Sequence, residues 1–197
     1  MNAVFIHIPR TAGRFIMASL GLEKFIYPRR VIRLFEQKGK VTFGHQDYIF
    51  LLRKGWVNEE FHKTSFKFTF CRHPLERLVS HYHHAKKNHP EIPLEGVSFR
   101  NFVMNLDWFG QLRRGKKSIF RPQSNCVRKV DLDFIGKYET LYDDIKKVAD
   151  IIGVKVINSR PIGRTDHLPY MGYYDEVLKE KAIKFYRKDF ERFGYDY

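Results

Sequence analysis

The chain has 197 residues, of which 43% are hydrophobic and 16% aromatic, enough apolar material for a packed core and too much for wholesale disorder. Its length fits one compact domain, expected to run over 1–197. A formal net charge of +14 makes it an attractor of anions, whether nucleic acid, anionic membrane, nucleotide phosphate or sulfated sugar, and charge alone does not choose among them.

Ala3–Ile8 is a short, β-rich apolar run with the pattern of a buried strand. Pro9 ends it, and Gly13–Leu20 has helical apolar spacing. Val41–Phe43 reads as a second strand, followed by Gly44-His45-Gln46-Asp47 and an apolar helix through Leu52. Thr64–Cys71 is a third strand, and Pro74 opens a helix that runs to Asn88. Ser98–Phe109 is a further helix, Leu132–Ile135 a further strand, and Thr140–Ile152 an amphipathic helix stopped by Gly153. Asp175–Phe190 is the closing helix. Strands alternating with helices predict a parallel sheet covered on both faces, an α/β sandwich in which ligands sit beyond the carboxyl ends of the strands. Two cysteines, Cys71 and Cys126, are too few for a disulfide framework. No apolar run approaches the roughly 20 residues that cross a bilayer, and an apolar strand directly after Met1 does not resemble a signal peptide. The expectation is a cytoplasmic protein without a membrane span.

Two strand exits are rich in cations. The first is Pro9-Arg10-Thr11-Ala12-Gly13-Arg14, where a strand gives way to a helix. Unpaired N–H groups at such a turn suit a phosphate. Gly13 permits close backbone approach, Thr11 offers a hydroxyl, and Arg10 and Arg14 bring charge. The kinase pattern GxxxxGK[ST] is absent, which disfavours an ordinary ATP loop. The second exit, Phe70-Cys71-Arg72-His73-Pro74-Leu75-Glu76-Arg77-Leu78-Val79-Ser80, repeats the order of apolar strand, basic turn and helix. Arg72 and Ser80 together suit a terminal phosphate, since a guanidinium supplies paired charged donors and a hydroxyl one more. Arg77 is read as structural, paired with Glu76 or Glu139.

These motifs carry a resemblance. FIHIPRTAG resembles the 5′-phosphosulfate loop of the PAPS-dependent sulfotransferases, in particular the carbohydrate and heparan-sulfate branch. FCRHPLERLVSHY resembles their 3′-phosphate motif, and FGHQDYIF, DFIGKYETLYDDIKKVADIIG and FYRKDFERFGYDY resemble three further segments in the same order along the chain. The resemblance implies a P-loop-like three-layer α/β sandwich with a mainly parallel central sheet. It implies sulfuryl transfer from 3′-phosphoadenosine 5′-phosphosulfate (PAPS) to an acceptor hydroxyl, expected to be a carbohydrate's, with adenosine 3′,5′-bisphosphate as product and no metal. Carried onto this sequence, Arg10, Thr11, Ala12, Gly13 and Arg14 would hold the 5′-phosphosulfate, and Arg72 and Ser80 the 3′-phosphate. Arg160 and Arg164 fall where the family closes a basic loop over the nucleotide. Gly44-His45 matches the family's Gly-His segment, which makes His45 the candidate general base; imidazole titrates near neutral pH and accepts a proton from a hydroxyl. His7, inside the first strand, is read as a core residue.

The sequence also departs from the family. Arg10 stands where the loop Lys is usual, and Arg keeps the charge but does not give up a proton. Arg14 and Phe15 replace the hydroxyl residues usual after the glycine. Among other groups, His81 and His84 share a helix face without convincing metal partners, Arg113–Lys117 is a basic loop, and Pro122-Gln123 matches a family segment to which no chemistry attaches. Two rivals remain open at this point. One is a nucleotide or small-molecule kinase with an atypical phosphate loop; the other is a non-catalytic basic module that binds nucleic acid or sulfated glycan. The sulfotransferase reading expects no nucleic-acid partner.

Overall fold

The structure is a computed structural model that describes residues 1–26, 29–111, 120–157 and 168–197. In chain order the elements are β1 (Ala3–Phe5), α1 (Gly13–Ser19), β2 (Glu23–Lys24), α2 (Arg29–Ile32), β3 (Lys40–Thr42), α3 (Tyr48–Arg53), α4 (Glu59–Thr64) and β4 (Phe66–Cys71). They continue with α5 (Pro74–Asn88), α6 (Phe99–Met104), α7 (Leu106–Gln111), β5 (Phe134–Lys137), α8 (Leu141–Ile152) and α9 (Glu176–Phe193). They fall into two compact units, one of residues 1–71 and 126–163, the other of 72–125 and 164–197.

The first unit holds a five-stranded, all-parallel sheet in the order β2-β3-β1-β4-β5. Val4 pairs with Val41 on one side and Lys67 on the other; Phe5 pairs with Thr42 and Phe68. Side chains alternate along each strand, so Phe5 and Phe68 share one face while Val4 and Val41 share the other. On the Phe5 face, Phe68 and Phe70 meet Phe15 and Ile16 of α1 and Ile145, Val148 and Ile152 of α8. On the other face Phe43 packs on Phe35 and Tyr48, and Phe35 on Phe61, which brings α3 and α4 against β3. Helices therefore cover both faces, as an α/β sandwich requires. Both cysteines are free thiols.

β1 and β4 are shorter than the apolar runs that predict them, while β3 begins one residue before, and β5 two residues after, the expected strand. β1 leaves its ladder after Phe5, where side chains take over from strand pairing: Thr42 Oγ1 donates to the Phe5 carbonyl (2.9 Å) and Thr69 Oγ1 to that of Ile6 (2.7 Å). At β5, Gly136 is required by close approach, because a Cβ there would lie 2.4 Å from the Phe70 ring. Beyond it, Asp144 of α8 accepts from the Lys137 N–H (2.9 Å), the Thr140 hydroxyl (2.6 Å) and the Lys147 ammonium (2.9 Å).

The second unit is helical. Its core joins Leu78, Val79 and Tyr82 of α5 to Phe102 of α6, Phe109 of α7 and Ala182, Tyr186 and Phe190 of α9. The span expected as one helix over Ser98–Phe109 is two: Asn105 caps α6 through its N–H to the Asn101 carbonyl, and α7 restarts at Leu106. Among the described residues, no helix is long and apolar enough to cross a membrane.

Asp144 gives a pH test of the β5–α8 joint. Burial alone would raise its carboxyl, but the Lys137 N–H, the Thr140 hydroxyl and Lys147 outweigh burial and hold it below the usual carboxylate range. A depressed folded pKa contributes stability that is fully present above the unfolded pKa of about 3.9 and disappears as pH falls through the folded value. Asp144→Asn should lose about 1–2 kcal/mol at pH 7. Its stability should also change less than that of the native chain as pH drops below 4, as read by urea unfolding across that range.

Candidate functional site

In the first unit the exit of β1 forms a strained loop. Arg10 (φ 68°) and Ala12 (φ 61°) both take left-handed backbone, which favours glycine and costs roughly 1–2 kcal/mol per ordinary residue. Left-handed residues thus flank Thr11 on both sides, and turns with this kind of backbone can gather N–H groups into an anion-binding nest. Thr11 is buried and donates its hydroxyl to the Ile8 carbonyl at 2.8 Å, which braces the loop. Arg10 is half-buried and Arg14 is exposed.

Beneath the loop lies His7. Its ring stacks on Phe5 (centroids 5.3 Å apart, 20° between planes) and contacts the His45 ring (4.1 Å). A Cβ built on Gly13 would fall 1.8 Å from His7 Nε2, so the glycine is required by the ring under it. Burial, reinforced by the neighbouring His45, pushes the His7 imidazole well below its usual range, and it is neutral at pH 7. His7 is the core residue expected, yet it shapes both the loop and the candidate base.

His45 follows Gly44, whose φ of 57° and a prospective Cβ contact of 2.8 Å with Ile26 both demand glycine. The next helix, α3, is capped by Asp47, which accepts from the Phe50 N–H. His45 itself is exposed, and its Nδ1 lies 3.3 Å from the His7 carbonyl. A carbonyl only accepts, so Nδ1 carries the proton and the lone pair of a neutral ring falls on Nε2, the form a general base needs.

In the second unit Arg72 is 7% exposed and its Nη2 meets Glu76 Oε1 at 2.8 Å. Glu76, considered as a partner for Arg77, is thus taken by Arg72. Arg77 is 1% exposed and directs Nη1 and Nη2 at the Arg121 carbonyl (3.3 and 3.4 Å), in keeping with its structural reading. Ser80 lies on α5 and is buried. The Arg72 backbone is bonded in both directions by Gln123: its N–H donates to Oε1 (3.0 Å), and its carbonyl accepts from Nε2 (2.8 Å). The sequence offered Gln123 no role. Asp189 was also missed, although a carboxylate between Tyr186 and Phe190 on the apolar side of a helix is a signal for a buried acceptor. His83, on the same helix as Ser80, bonds the Tyr173 hydroxyl at 3.0 Å. Among the described residues no cluster of His, Cys, Asp and Glu is placed to hold a metal ion. Arg160, Arg164 and Arg113–Lys117 lie outside the described residues.

The sequence matches the model of the sulfotransferase family over residues 2–196, through both units and every segment described above. The chain belongs to the sulfotransferase family, whose members transfer sulfuryl groups. No curated protein matches it significantly.

The contact between Gly13 and His7 is testable on its own. Gly13→Ala should destabilise the protein by about 1–3 kcal/mol through overpacking. In a His7→Ala background the same change should lose most of that effect, giving a double-mutant coupling of at least about 1 kcal/mol in urea unfolding. Additive effects would contradict the contact.

Proposed function

We propose that the protein transfers a sulfuryl group from PAPS to a hydroxyl of a carbohydrate acceptor and releases adenosine 3′,5′-bisphosphate. The observation that carries this reading is the family match across 2–196, which includes both cationic strand exits. On this reading the chain acts as one sulfotransferase-like domain, because the match runs unbroken through both units. Free thiols at Cys71 and Cys126 agree with a cytoplasmic setting.

Arg10, Thr11, Ala12, Gly13 and Arg14 hold the 5′-phosphosulfate, with the left-handed backbone at 10 and 12 aiming N–H groups and the bare Gly13 allowing close approach. Arg72 and Ser80 hold the 3′-phosphate, and Arg160 and Arg164 contribute from the basic segment after α8. The acceptor oxygen attacks sulfur as the bond from sulfur to the bridging phosphate oxygen breaks, and the acceptor proton passes to His45 Nε2. Arg10 stabilises the phosphate charge that develops, electrostatically and without donating its own proton. The tautomer set by the His7 carbonyl supports His45 in this role.

Transfer of labelled sulfate from PAPS to a panel of oligosaccharides tests the proposal. His45→Ala should lower transfer by about 10²–10⁴-fold while adenosine 3′,5′-bisphosphate binds within about twofold of the native affinity. Undiminished transfer by His45→Ala would remove the base assignment. A native chain that moves no sulfate from PAPS to any acceptor would remove the proposal.

A further inference from the structure

The second unit buries two polar side chains for which the reading above has no use, Gln123 and Asp189, both 0% exposed. Buried polar groups are costly unless bonded, and these are bonded in series. Asp189 on α9 accepts two backbone N–H groups at once, from Gln123 to Oδ2 (2.7 Å) and from Ser124 to Oδ1 (2.8 Å). Gln123 then turns its amide to the Arg72 backbone and closes a two-bond ring with it (3.0 and 2.8 Å). That pairing fixes the orientation of the amide, since the Arg72 N–H can only donate and its carbonyl only accept.

The segment that carries Gln123 is tied down residue after residue. Tyr186 donates its hydroxyl to the Phe120 carbonyl (2.7 Å), Arg77 its guanidinium to the Arg121 carbonyl, and Asp189 takes the N–H groups of 123 and 124. Surrounding side chains are aromatic, so charge-assisted bonds here are poorly screened and hold tightly. A segment anchored at Phe120, Arg121, Gln123 and Ser124 presents one long polar side chain to Arg72. Glu76 meanwhile holds the Arg72 guanidinium at 2.8 Å. Arg72 is thereby fixed at its backbone by Gln123 and at its head by Glu76.

We propose that Asp189 and Gln123 are positioning residues that set the Arg72 backbone and so determine selectivity for a nucleotide carrying a 3′-phosphate. The inference rests on the reading of Arg72 as the 3′-phosphate ligand. A guanidinium recognises phosphate by paired bonds, and displacement of its backbone by about 1 Å misaligns both. A filler role for Gln123 would affect stability and leave nucleotide selectivity unchanged.

Calorimetric titration with adenosine 3′,5′-bisphosphate and with adenosine 5′-monophosphate separates the two roles, because the ratio of their dissociation constants reports the 3′-phosphate alone. Arg72→Ala should remove most of the ratio, leaving only what Ser80 and the other ligands supply. Gln123→Met, similar in shape but without the amide, should lower the ratio roughly tenfold and leave the monophosphate affinity within about twofold. Gln123→Glu keeps the acceptor for the Arg72 N–H and loses the donor to its carbonyl, so its ratio should fall between those of the native chain and Gln123→Met. Circular dichroism melts establish that each variant is folded; if Gln123→Met is not, Gln123→Glu supplies the comparison. A ratio collapsed in Arg72→Ala but native in the Gln123 variants would overturn the relay and leave the binding reading intact. A native ratio in Arg72→Ala would overturn that reading and the relay with it.

Discussion

The imidazole of His7 is the contact on which the first unit's site depends. It sits where β1 has left its ladder, flat on Phe5, and occupies the space that a side chain on Gly13 would need. Its carbonyl takes the Nδ1 proton of His45, and its ring lies against the His45 ring. One residue thus supports the floor of the loop proposed to hold an anion and fixes the tautomer of the proposed base. Burial keeps His7 neutral, which matters because a charged ring there would repel a protonated His45 and oppose proton uptake. The left-handed residues Arg10 and Ala12 are held above this floor by Thr11, whose hydroxyl is tied to Ile8. Strain of this kind persists only where neighbours over-determine the backbone.

The second unit reaches a defined geometry by another route. Its core is aromatic and apolar, and several buried polar residues within it are bonded to other parts of the chain. Arg72, Arg77, Gln123 and Asp189 all lie inside, bonded to carbonyls, N–H groups or a carboxylate. This bears on the meaning of the +14 charge. A module that grips a long polyanion needs its cations along an exposed stripe. Arg72 is withdrawn from the surface and clamped, so it is no part of such a stripe.

Most of the architecture was legible in the sequence, because alternating strands and helices with basic turns after two strands leave few topologies. β2, α2 and α4 were not foreseen; they are too short to show a period above the noise of neighbouring residues. The division of Ser98–Phe109 was hidden because its apolar spacing continues across Asn105, and the break lies in a cap. In the site, the loop residues and His45 stood out by type and spacing. The contribution of His7 did not, since a histidine in an apolar run reads the same whether it fills a core or supports a glycine across a loop. Gln123 was visible only as part of a matching segment, and Asp189 only as a carboxylate on the apolar side of a helix; its partners were not, because the N–H groups it accepts come from 65 and 66 residues away in sequence.

The account comes down to whether this chain recognises both ends of one nucleotide. Equilibrium competition between adenosine 3′,5′-bisphosphate and ATP for the native protein, without added metal, measures this most directly. The account predicts saturable binding of the bisphosphate that a large excess of ATP displaces poorly. Equal affinity for the two nucleotides, or binding of neither, would contradict it.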